Sequence, residues 1–207
     1  MQGFCFLAAV PMRSDPSDRS EMVNQLLEGD TFQIIEQQEK WSLVQCDYDG
    51  YRGWIDNKQW SPVPAGVTMS VDIQIKPSSG ESSPSQVALD RYLGAPYLWG
   101  GRTAMGIDCS GLTQVCFKLC GIRLLRDASQ QAGQGSPVPF EELRRDDLCF
   151  FSNDQGKIVH VGISLGDGHI VHASGQVRVD RLDTTGILNE ETGQYTHRLH
   201  SIRRVLG

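Results

Sequence analysis

The stretch Asp108-Cys109-Ser110-Gly111-Leu112 opens the most clearly patterned segment of the chain. Beyond it, apolar side chains recur with the i, i+3, i+4, i+7 spacing of one helix face, at Leu112, Val115, Cys116 and Leu119. Gly121 marks the expected end of this helix. Cys109 is therefore predicted to begin a helix, where unpaired backbone N–H groups and a partial positive charge favour the thiolate form of a cysteine.

The composition is that of an ordinary globular protein, with 207 residues of which 39% are hydrophobic and 21% charged. The formal net charge of −6 argues against a general binder of nucleic acid or of anionic membranes. No apolar run approaches the roughly 18 residues that a membrane-spanning helix needs. The apolar stretch at residues 4–10 has no Lys or Arg before it, so we expect a β-strand there rather than a signal peptide.

The spacing of the six cysteines gives no sign of a metal site, because no two of them form a Cys-x-x-Cys pair. We accordingly expect no bound metal and no cofactor. Cys116, Cys120 and Cys149 are expected to be buried apolar thiols. Free thiols in this number suit a reducing compartment and favour the cytoplasm. If a leader has been removed from the natural chain, the periplasm or the exterior of the cell would be expected instead.

Residues 1–66 are predicted to form short strands separated by turns. Asp49-Gly50 marks a tight hairpin, and several strands in so short a stretch predict a small β-barrel. The region resembles a bacterial SH3-like domain in the order of its motifs, which are Arg13-x-x-Pro16, Gln25-Leu26-Leu27-x-Gly29-Asp30, Trp41-x-x-Val44 and Gly50-Tyr51-x-Gly53-Trp54-Ile55.

A second domain is expected at residues 84–207, after a Ser/Gly/Pro-rich linker at residues 67–83. Ser83 is placed to cap a helix that starts at Pro84. Beyond the helix that begins at Cys109, strand patterns occur at residues 147–151, 158–165, 169–173, 177–179 and 199–205. Helices followed by an antiparallel sheet predict an α+β fold for this domain.

Two histidines on adjacent predicted strands are candidates to act with Cys109. A cysteine nucleophile needs a base, and that base needs an orienting group. If residues 166–168 form a three-residue loop, Gly162 pairs with His172, and His160 lies diagonally from His172 on the same face, about 7 Å away. A two-residue loop would put the histidines on opposite faces. We predict the three-residue loop.

The other histidines are expected to have no chemical role. His169 and His172 are three residues apart on one predicted strand, so they point to opposite faces and are not expected to share a metal. The same spacing separates His197 from His200, and both are expected at the surface.

Four sequence blocks spanning about residues 85–207 resemble the signature of the NlpC/p60 family of papain-like cysteine peptidases. They are Pro96-Tyr97-x-Trp99-Gly100-Gly101, Asp108-Cys109-Ser110-Gly111-Leu112, His160-Val161-Gly162-Ile163 and Ile170-Val171-His172-Ala173. The resemblance implies a papain-like catalytic domain in which Tyr97 helps to position the reacting carbonyl. It also implies that Cys109 is the nucleophile, His160 the general base and acid, and His172 the residue that orients His160.

The resemblance also implies a substrate class, the peptides of the bacterial cell wall, cut at a bond between γ-D-Glu and a diamino acid. In the subgroup with an N-terminal SH3-like domain, the implied substrate is free L-Ala-γ-D-Glu-diaminopimelate or -Lys, as in peptidoglycan recycling. Ser110 and Ser129 are candidates to hold the free α-carboxylate of D-Glu. Asp108 is a candidate for a substrate ammonium group as well as for a helix cap. Glu21 and Tyr51 are candidates to hold the L-Ala amine.

Other functions remain open at the level of sequence. A secreted or periplasmic hydrolase would act on intact peptidoglycan, and a related acyltransferase or amidase would form the same thioester at Cys109. A wall-binding module with an inactive catalytic domain would lack the nucleophile or the base, and Cys109, His160 and His172 are all present. No nucleic-acid partner is expected, and the sequence leaves the oligomeric state open.

Overall fold

A computed structural model describes residues 1–64, 67 and 83–206. The predicted linker at residues 67–83 therefore lies, apart from Val67 and Ser83, outside the described residues. The described residues form two compact units. The first contains the residues before the gap together with Trp99–Thr103, and the second contains residues 83–98 and those from Ala104 onward. In the described part of the chain, no helix has the length and apolar character needed to cross a membrane.

The first unit is an antiparallel sheet with a short 3₁₀ turn at Asn57–Gln59. The strand order across the sheet is β3-β2-β6-β5-β4-β1-β7. The bounds of these strands are β1 Gln2–Phe4, β2 Ala9–Arg13, β3 Met22–Leu27, β4 Thr31–Gln37, β5 Trp41–Cys46, β6 Arg52–Asp56 and β7 Ser61–Pro62. Their inward side chains form one apolar core, which includes Val10, Met12, Phe32, Val44 and Ile55. The prediction of a small all-β unit is confirmed.

The alternation of apolar and polar residues in β5 has the predicted effect. Ser42, Val44 and Cys46 are buried, while the residues between them are partly exposed, as expected for a strand with one face on the core. The hairpin that follows turns at Gly50, whose φ of 74° suits glycine and whose N–H donates to the Cys46 carbonyl oxygen.

The prediction of one strand at residues 4–10 is wrong. The chain bends between β1 and β2, and there the Cys5 N–H donates to the Asp30 carbonyl oxygen and the Cys5 thiol donates to that of Leu7. The bend lets β1 pair with β4 while β2 pairs with β3. An apolar run that covers both sides of a bend cannot be distinguished from one buried strand by its composition.

The segment Trp99–Thr103 is held in the first unit by a buried ion pair. Arg102 Nη1 lies 3.1 Å from Asp30 Oδ2 and donates to the Gln25 carbonyl oxygen at 2.8 Å. The Arg102 backbone N–H also donates to the Gln25 side chain. Removing one partner of a buried ion pair costs about 3–5 kcal/mol, because the other charge is left buried without its partner. The ion pair and its additional hydrogen bonds therefore fix this segment in the unit.

The second unit packs helices against an antiparallel sheet, which confirms the α+β prediction. Its strand order is β10-β16-β11-β12-β13-β14-β15, and β15 also pairs with β16. The elements of this unit are α1 Pro84–Tyr92, β9 Gly106–Ile107, α2 Cys109–Leu119, α3 Ala128–Gln131, β10 Ser136–Pro137, a 3₁₀ turn Phe140–Glu142, β11 Leu148–Ser152, β12 Ile158–Ser164, β13 His169–Ser174, β14 Gln176–Leu182, β15 Gly186–Asn189 and β16 Gln194–Arg204. A short strand of the first unit, β8 Arg102–Thr103, lies between α1 and β9 in the sequence.

Helix α2 begins and packs as its sequence predicts. Asp108 is the N-cap and accepts a 2.6 Å hydrogen bond from the Gly111 N–H. The helix is buried on every side from Cys109 to Phe117, which is typical of a helix in the centre of a domain. It packs against β12 and β13. Cys109 is thus placed at the buried beginning of a central helix.

The hairpin of β12 and β13 has the predicted register. Gly162 pairs with His172, and the Leu165 N–H donates to the His169 carbonyl oxygen at 2.9 Å. The three-residue loop at 166–168 is therefore confirmed, and His160 and His172 share one face of the sheet.

Gly162 keeps β12 and β13 close together at this point, and its replacement tests the packing. A Cβ at residue 162 would lie 2.9 Å from His172 Cβ and 2.7 Å from Ile170 Cδ1. We expect Gly162→Ala to lower the free energy of unfolding by about 1–3 kcal/mol through overpacking, as measured by urea denaturation. The control Val159→Ala, at an exposed site on the same strand, is expected to change it by about 0.5 kcal/mol or less. Equal stability of Gly162→Ala and the unsubstituted protein would contradict this packing.

Candidate active site

Cys109 is a buried thiol whose proton is held tightly. Burial raises its pKa to about 12, and the Asp108 carboxylate adds to the rise. Backbone N–H groups of Val161 and Ser110 and the Arg126 guanidinium act in the opposite direction. The prediction that the helix terminus favours a thiolate is wrong for this state, because desolvation outweighs the helix N–H groups. A base must remove the proton when the sulfur reacts.

The contact with Val161 places the Cys109 sulfur beside the strand that carries His160. Val161 is the next residue on β12, and its N–H faces the sulfur. The N-terminus of α2 and the middle of β12 therefore meet at Cys109.

His160, His172 and Asp180 form a buried chain of hydrogen bonds across three neighbouring strands. His160 Nε2 lies 2.9 Å from His172 Nδ1, and His172 Nε2 lies 3.0 Å from Asp180 Oδ2. All three side chains are at most 5% exposed. Arg178 continues the chain, since its Nε lies 2.7 Å from Asp180 Oδ2 and its Nη2 donates to Oδ1.

The carboxylate gives this chain a direction. Burial raises the pKa of Asp180, but hydrogen bonds from His172 and Arg178 outweigh it and lower the pKa to about 2. An ionised carboxylate only accepts hydrogen bonds, so a neutral His172 donates from Nε2 and accepts at Nδ1. His160 then donates from Nε2, which leaves the lone pair of His160 on Nδ1. The hydrogen bonds from Asp180 through His172 to His160 thus leave His160 Nδ1 free to act as a base.

Sequence reasoning missed Asp180, although a signal was present. His172 pairs with Arg178 across β13 and β14, and Asp180 is the diagonal neighbour two residues further on. The diagonal rule that brought His160 and His172 together also applies here. The predicted strand at residues 177–179 ended one residue too early to include Asp180.

His197 is part of the site, and the prediction that it is a surface residue is wrong. Its ring stacks on that of His160, with centroids 4.1 Å apart and planes 24° from parallel. The strand that carries it, β16, begins at Gln194, earlier than the predicted residue 199. His200 is exposed, as predicted.

The histidine cluster fits hydrogen bonding and stacking better than metal binding. Nitrogen atoms of His160, His172 and His197 lie within 4.8 Å of one another. The lone pair of an imidazole lies in the plane of its ring, and nearly parallel stacked rings do not aim their lone pairs at one point. The facing nitrogens of His160 and His172 are moreover engaged with each other.

Comparison with known proteins identifies the domain that carries this geometry. The NlpC/P60 family pattern matches residues 94–196, and the pattern of a bacterial dipeptidyl-peptidase SH3 domain matches residues 12–59. The chain contains an NlpC/P60 domain preceded by a bacterial SH3 domain.

Similar curated proteins carry peptidase names. The chain is 40% identical over 107 residues to a γ-D-glutamyl-L-lysine dipeptidyl-peptidase of Bacillus cereus, and 44% identical over 84 residues to one of Bacillus subtilis. These alignments cover 49% and 40% of the chain but 32% and 28% of the two relatives. The chain therefore aligns with about a third of the length of these relatives.

Solved structures support the same fold. An NlpC/P60 family protein from Bacillus cereus aligns with a TM-score of 0.52 at 24% identity, over 100% of this chain and 63% of its own. NlpC1 from Trichomonas vaginalis aligns with a TM-score of 0.51 at 20% identity, over 99% of this chain and 69% of its own. Similarity at these identities shows the fold.

In the NlpC/P60 domain, Asp108 and Ser110 form one buried cluster with Arg126. Arg126 Nη2 donates to Asp108 Oδ2 at 2.6 Å, and its Nη1 donates to Asp108 Oδ1 at 3.0 Å and to Ser110 Oγ at 2.9 Å. The Asp108 charge is thus balanced inside the protein while the same carboxylate caps α2. This engagement favours the cap over the ammonium contact for Asp108.

Tyr97 lies in the electrostatic environment of the same cluster. Burial raises its pKa to about 12, with further contributions from Cys109 and Asp108, while Arg126 lowers it. Its backbone N–H donates to the Gly175 carbonyl oxygen at 2.9 Å. The structure therefore brings Tyr97 together with Cys109, Asp108 and Ser110.

The remaining predicted contacts are Ser129, Glu21 and Tyr51. Ser129 is exposed on α3, a helix fixed to α2 by Gln131, which binds the Thr113 hydroxyl and the Ser110 carbonyl oxygen. Glu21 and Tyr51 belong to the first unit. There, Glu21 Oε1 accepts a 2.6 Å hydrogen bond from Trp99 Nε1, and Tyr51 packs against the apolar core.

The rate of Cys109 alkylation by iodoacetamide tests the histidine chain without any substrate. Because the pKa of Cys109 is raised, reaction near pH 7 depends on a neighbouring base. We expect His160→Ala to slow alkylation of Cys109 by at least about 10-fold, and Asp180→Asn to slow it by about 10-fold. Mass spectrometry of the Cys109 peptide separates this reaction from that of the other thiols. The control His169→Ala should react at the unsubstituted rate, and unchanged rates in all variants would contradict the base assignment.

Proposed function

We propose that this protein is a cysteine peptidase that hydrolyses the bond between γ-D-Glu and a diamino acid in murein peptides. The observation that carries the proposal is the chain from Asp180 through His172 to His160, beside a strand residue whose N–H faces the Cys109 sulfur. Such an oriented base is what a buried thiol with a raised pKa needs. The names of the two Bacillus relatives support the bond and the substrate class.

In the proposed mechanism, His160 Nδ1 takes the Cys109 proton as the sulfur attacks the γ-carbonyl carbon of D-Glu. The carbonyl oxygen becomes an oxyanion, for which the Cys109 N–H at the start of α2 and Tyr97 are the proposed donors. His160 returns the proton to the leaving amine as the C–N bond breaks, and a thioester remains. Water then attacks the thioester with His160 again as base, which restores the thiol and releases the carboxylic acid.

His172 and Asp180 act by holding His160 in the required tautomer. When His160 gains its second proton, it becomes positively charged. His172 is hydrogen-bonded directly to this ring, and the Asp180 carboxylate is the next group along, hydrogen-bonded to His172. The buried Asp180 charge thus stabilises the imidazolium formed during each proton transfer.

Ser110 and Ser129 are the proposed donors to the free α-carboxylate that a γ-linked D-Glu leaves. Ser110 adjoins the nucleophile. Its Oγ accepts from Arg126 Nη1 and donates to Asp108 Oδ1 at 3.3 Å, so in this role its proton would turn from Asp108 to the substrate carboxylate. Ser129 stands on α3 next to the positions that anchor this helix to α2. Hydrogen bonds from hydroxyl groups to a carboxylate are charge-assisted and give both affinity and orientation.

We also propose that the substrate is a free peptide with an unblocked L-Ala amine, as peptidoglycan recycling would supply. This finer specificity is what the resemblance to the subgroup with an N-terminal SH3-like domain implies, and Glu21 and Tyr51 are the candidates for the amine contact. Diaminopimelate and Lys are both admitted as the diamino acid.

Product analysis by mass spectrometry tests the reaction on L-Ala-γ-D-Glu-diaminopimelate and its Lys analogue. We expect release of L-Ala-D-Glu and the free diamino acid, with severely reduced kcat/KM when the L-Ala amine is acetylated. Cys109→Ala should abolish cleavage, lowering it by at least about 10⁴-fold. Cys116→Ala, which removes another buried thiol of α2, is the matched control and should keep the activity of any folded fraction.

Three results would contradict the proposal. Cleavage that persists in Cys109→Ala would exclude the nucleophile. Equal turnover of acetylated and free peptides would exclude the amine requirement. Activity on intact sacculi without activity on the free peptide would favour a wall hydrolase.

A further inference from the structure

His197 makes an unusual contact for a residue two strands away from the base. It lies on β16, and β11 separates that strand from β12, which carries His160. Neighbouring strands are about 4.8 Å apart, so the two backbones are separated by about 10 Å. Their side chains nevertheless lean together until the ring centroids are 4.1 Å apart and the planes are 24° from parallel.

The position of His197 is fixed by its own surroundings. A Cβ on Gly186 would lie 1.9 Å from the His197 carbonyl oxygen, so only glycine allows β15 to approach this closely. His197 Nδ1 lies 2.9 Å from Thr196 Oγ1. Phe151 on β11 contacts both imidazoles, with centroids 5.8 Å from that of His160 and 6.0 Å from that of His197.

The stack covers a ring whose orientation determines the chemistry. Rotation about χ2 of His160 would break the hydrogen bond to His172 and turn the Nδ1 lone pair away. A terminal sp³–sp² torsion such as χ2 of histidine has a broad energy well and is easily turned unless neighbours restrict it. His172 holds the ring at one edge, and His197 covers one face.

We propose that His197 is a positioning residue that holds the ring plane of His160 by stacking and shields that ring from water. The expected effect on kcat rests on the proposed function. The expected effect on the orientation and pKa of the His160 ring does not. The stacking needs an aromatic ring at residue 197, and not the nitrogen atoms of that ring.

The charges around the two rings agree with this role. Burial lowers the pKa of His160 well below its ordinary value, and His197 and His172 lower it further. Burial also lowers the pKa of His197 to about 4, with His172 acting in the same direction and Asp180 opposing it. Near neutral pH both stacked rings are therefore uncharged. Cys109 begins α2, which packs on β12.

Removal of the ring at residue 197 should have two measurable effects. His197→Ala is expected to lower kcat about 10-fold with KM changed about twofold or less, because the base is misplaced rather than the substrate contacts. Water reaching His160 should raise its pKa, so the acid limb of kcat/KM against pH moves to higher pH. His197→Phe should stay within about threefold of the unsubstituted kcat and keep the original pH profile.

The His160 pKa can be followed without catalysis by NMR titration of ring-labelled histidine in the full chain. Each signal is assigned from variants in which one histidine at a time is replaced. His197→Gln is a second variant without an aromatic ring, in case His197→Ala does not fold. His200→Ala, three residues along β16 and exposed, is the matched control and should change neither the titration nor the kinetics.

The outcomes separate this inference from the proposed function. Failure of the unsubstituted protein to cleave the peptide would contradict the proposed function, while the NMR titration would still test the stack. An unchanged His160 pKa in His197→Ala or His197→Gln would overturn the inference. So would a folded His197→Phe as impaired as the variants without a ring.

Discussion

The site depends on one buried carboxylate that can only accept hydrogen bonds. Asp180 receives hydrogen bonds from His172 Nε2, Arg178 Nη2 and the Glu190 backbone N–H. These partners keep it ionised, and they fix which nitrogen of His172 carries the proton. That choice in turn fixes the tautomer of His160. The direction of the chain of hydrogen bonds is thus set at Asp180, which is linked to His160 through His172.

The thiol and the base are arranged as a neutral pair. Burial raises the pKa of Cys109 and lowers the pKa of His160, so both shifts oppose a preformed thiolate–imidazolium pair. In the proposed mechanism, proton transfer is therefore part of the attack on the carbonyl, and the carboxylate of Asp180 acts when the imidazolium forms. A buried neutral thiol is also less open to oxidation, because the thiolate is the reactive species.

Sequence patterns predicted the parts of this structure that depend on local spacing. The apolar period of residues 112–119 predicted α2, and the length of the loop at 166–168 predicted the register that aligns His160 with His172. Both follow from rules that involve a few neighbouring residues. The strand predicted at residues 177–179 extends over Gln176–Leu182 as β14, and Asp180 was missed because the prediction was too short.

What could not be predicted comes from long-range packing. His197 reaches His160 across an intervening strand, and no spacing in the sequence indicates that contact. The raised pKa of Cys109 depends on how completely the surrounding elements exclude water, which a helix-terminus argument leaves out. The bend between β1 and β2 is fixed by hydrogen bonds of residues around Cys5 to distant parts of the first unit.

The most direct test of this account is the tautomeric state of His172 and His160, read by ¹⁵N NMR of the ring nitrogens in the full chain near pH 7. The account predicts that His172 is protonated at Nε2 and bare at Nδ1, and that His160 is likewise protonated at Nε2 and bare at Nδ1. Asp180→Asn should disturb this pattern, because an amide can donate as well as accept. A His172 that carries its proton on Nδ1 in the unsubstituted protein would contradict the account.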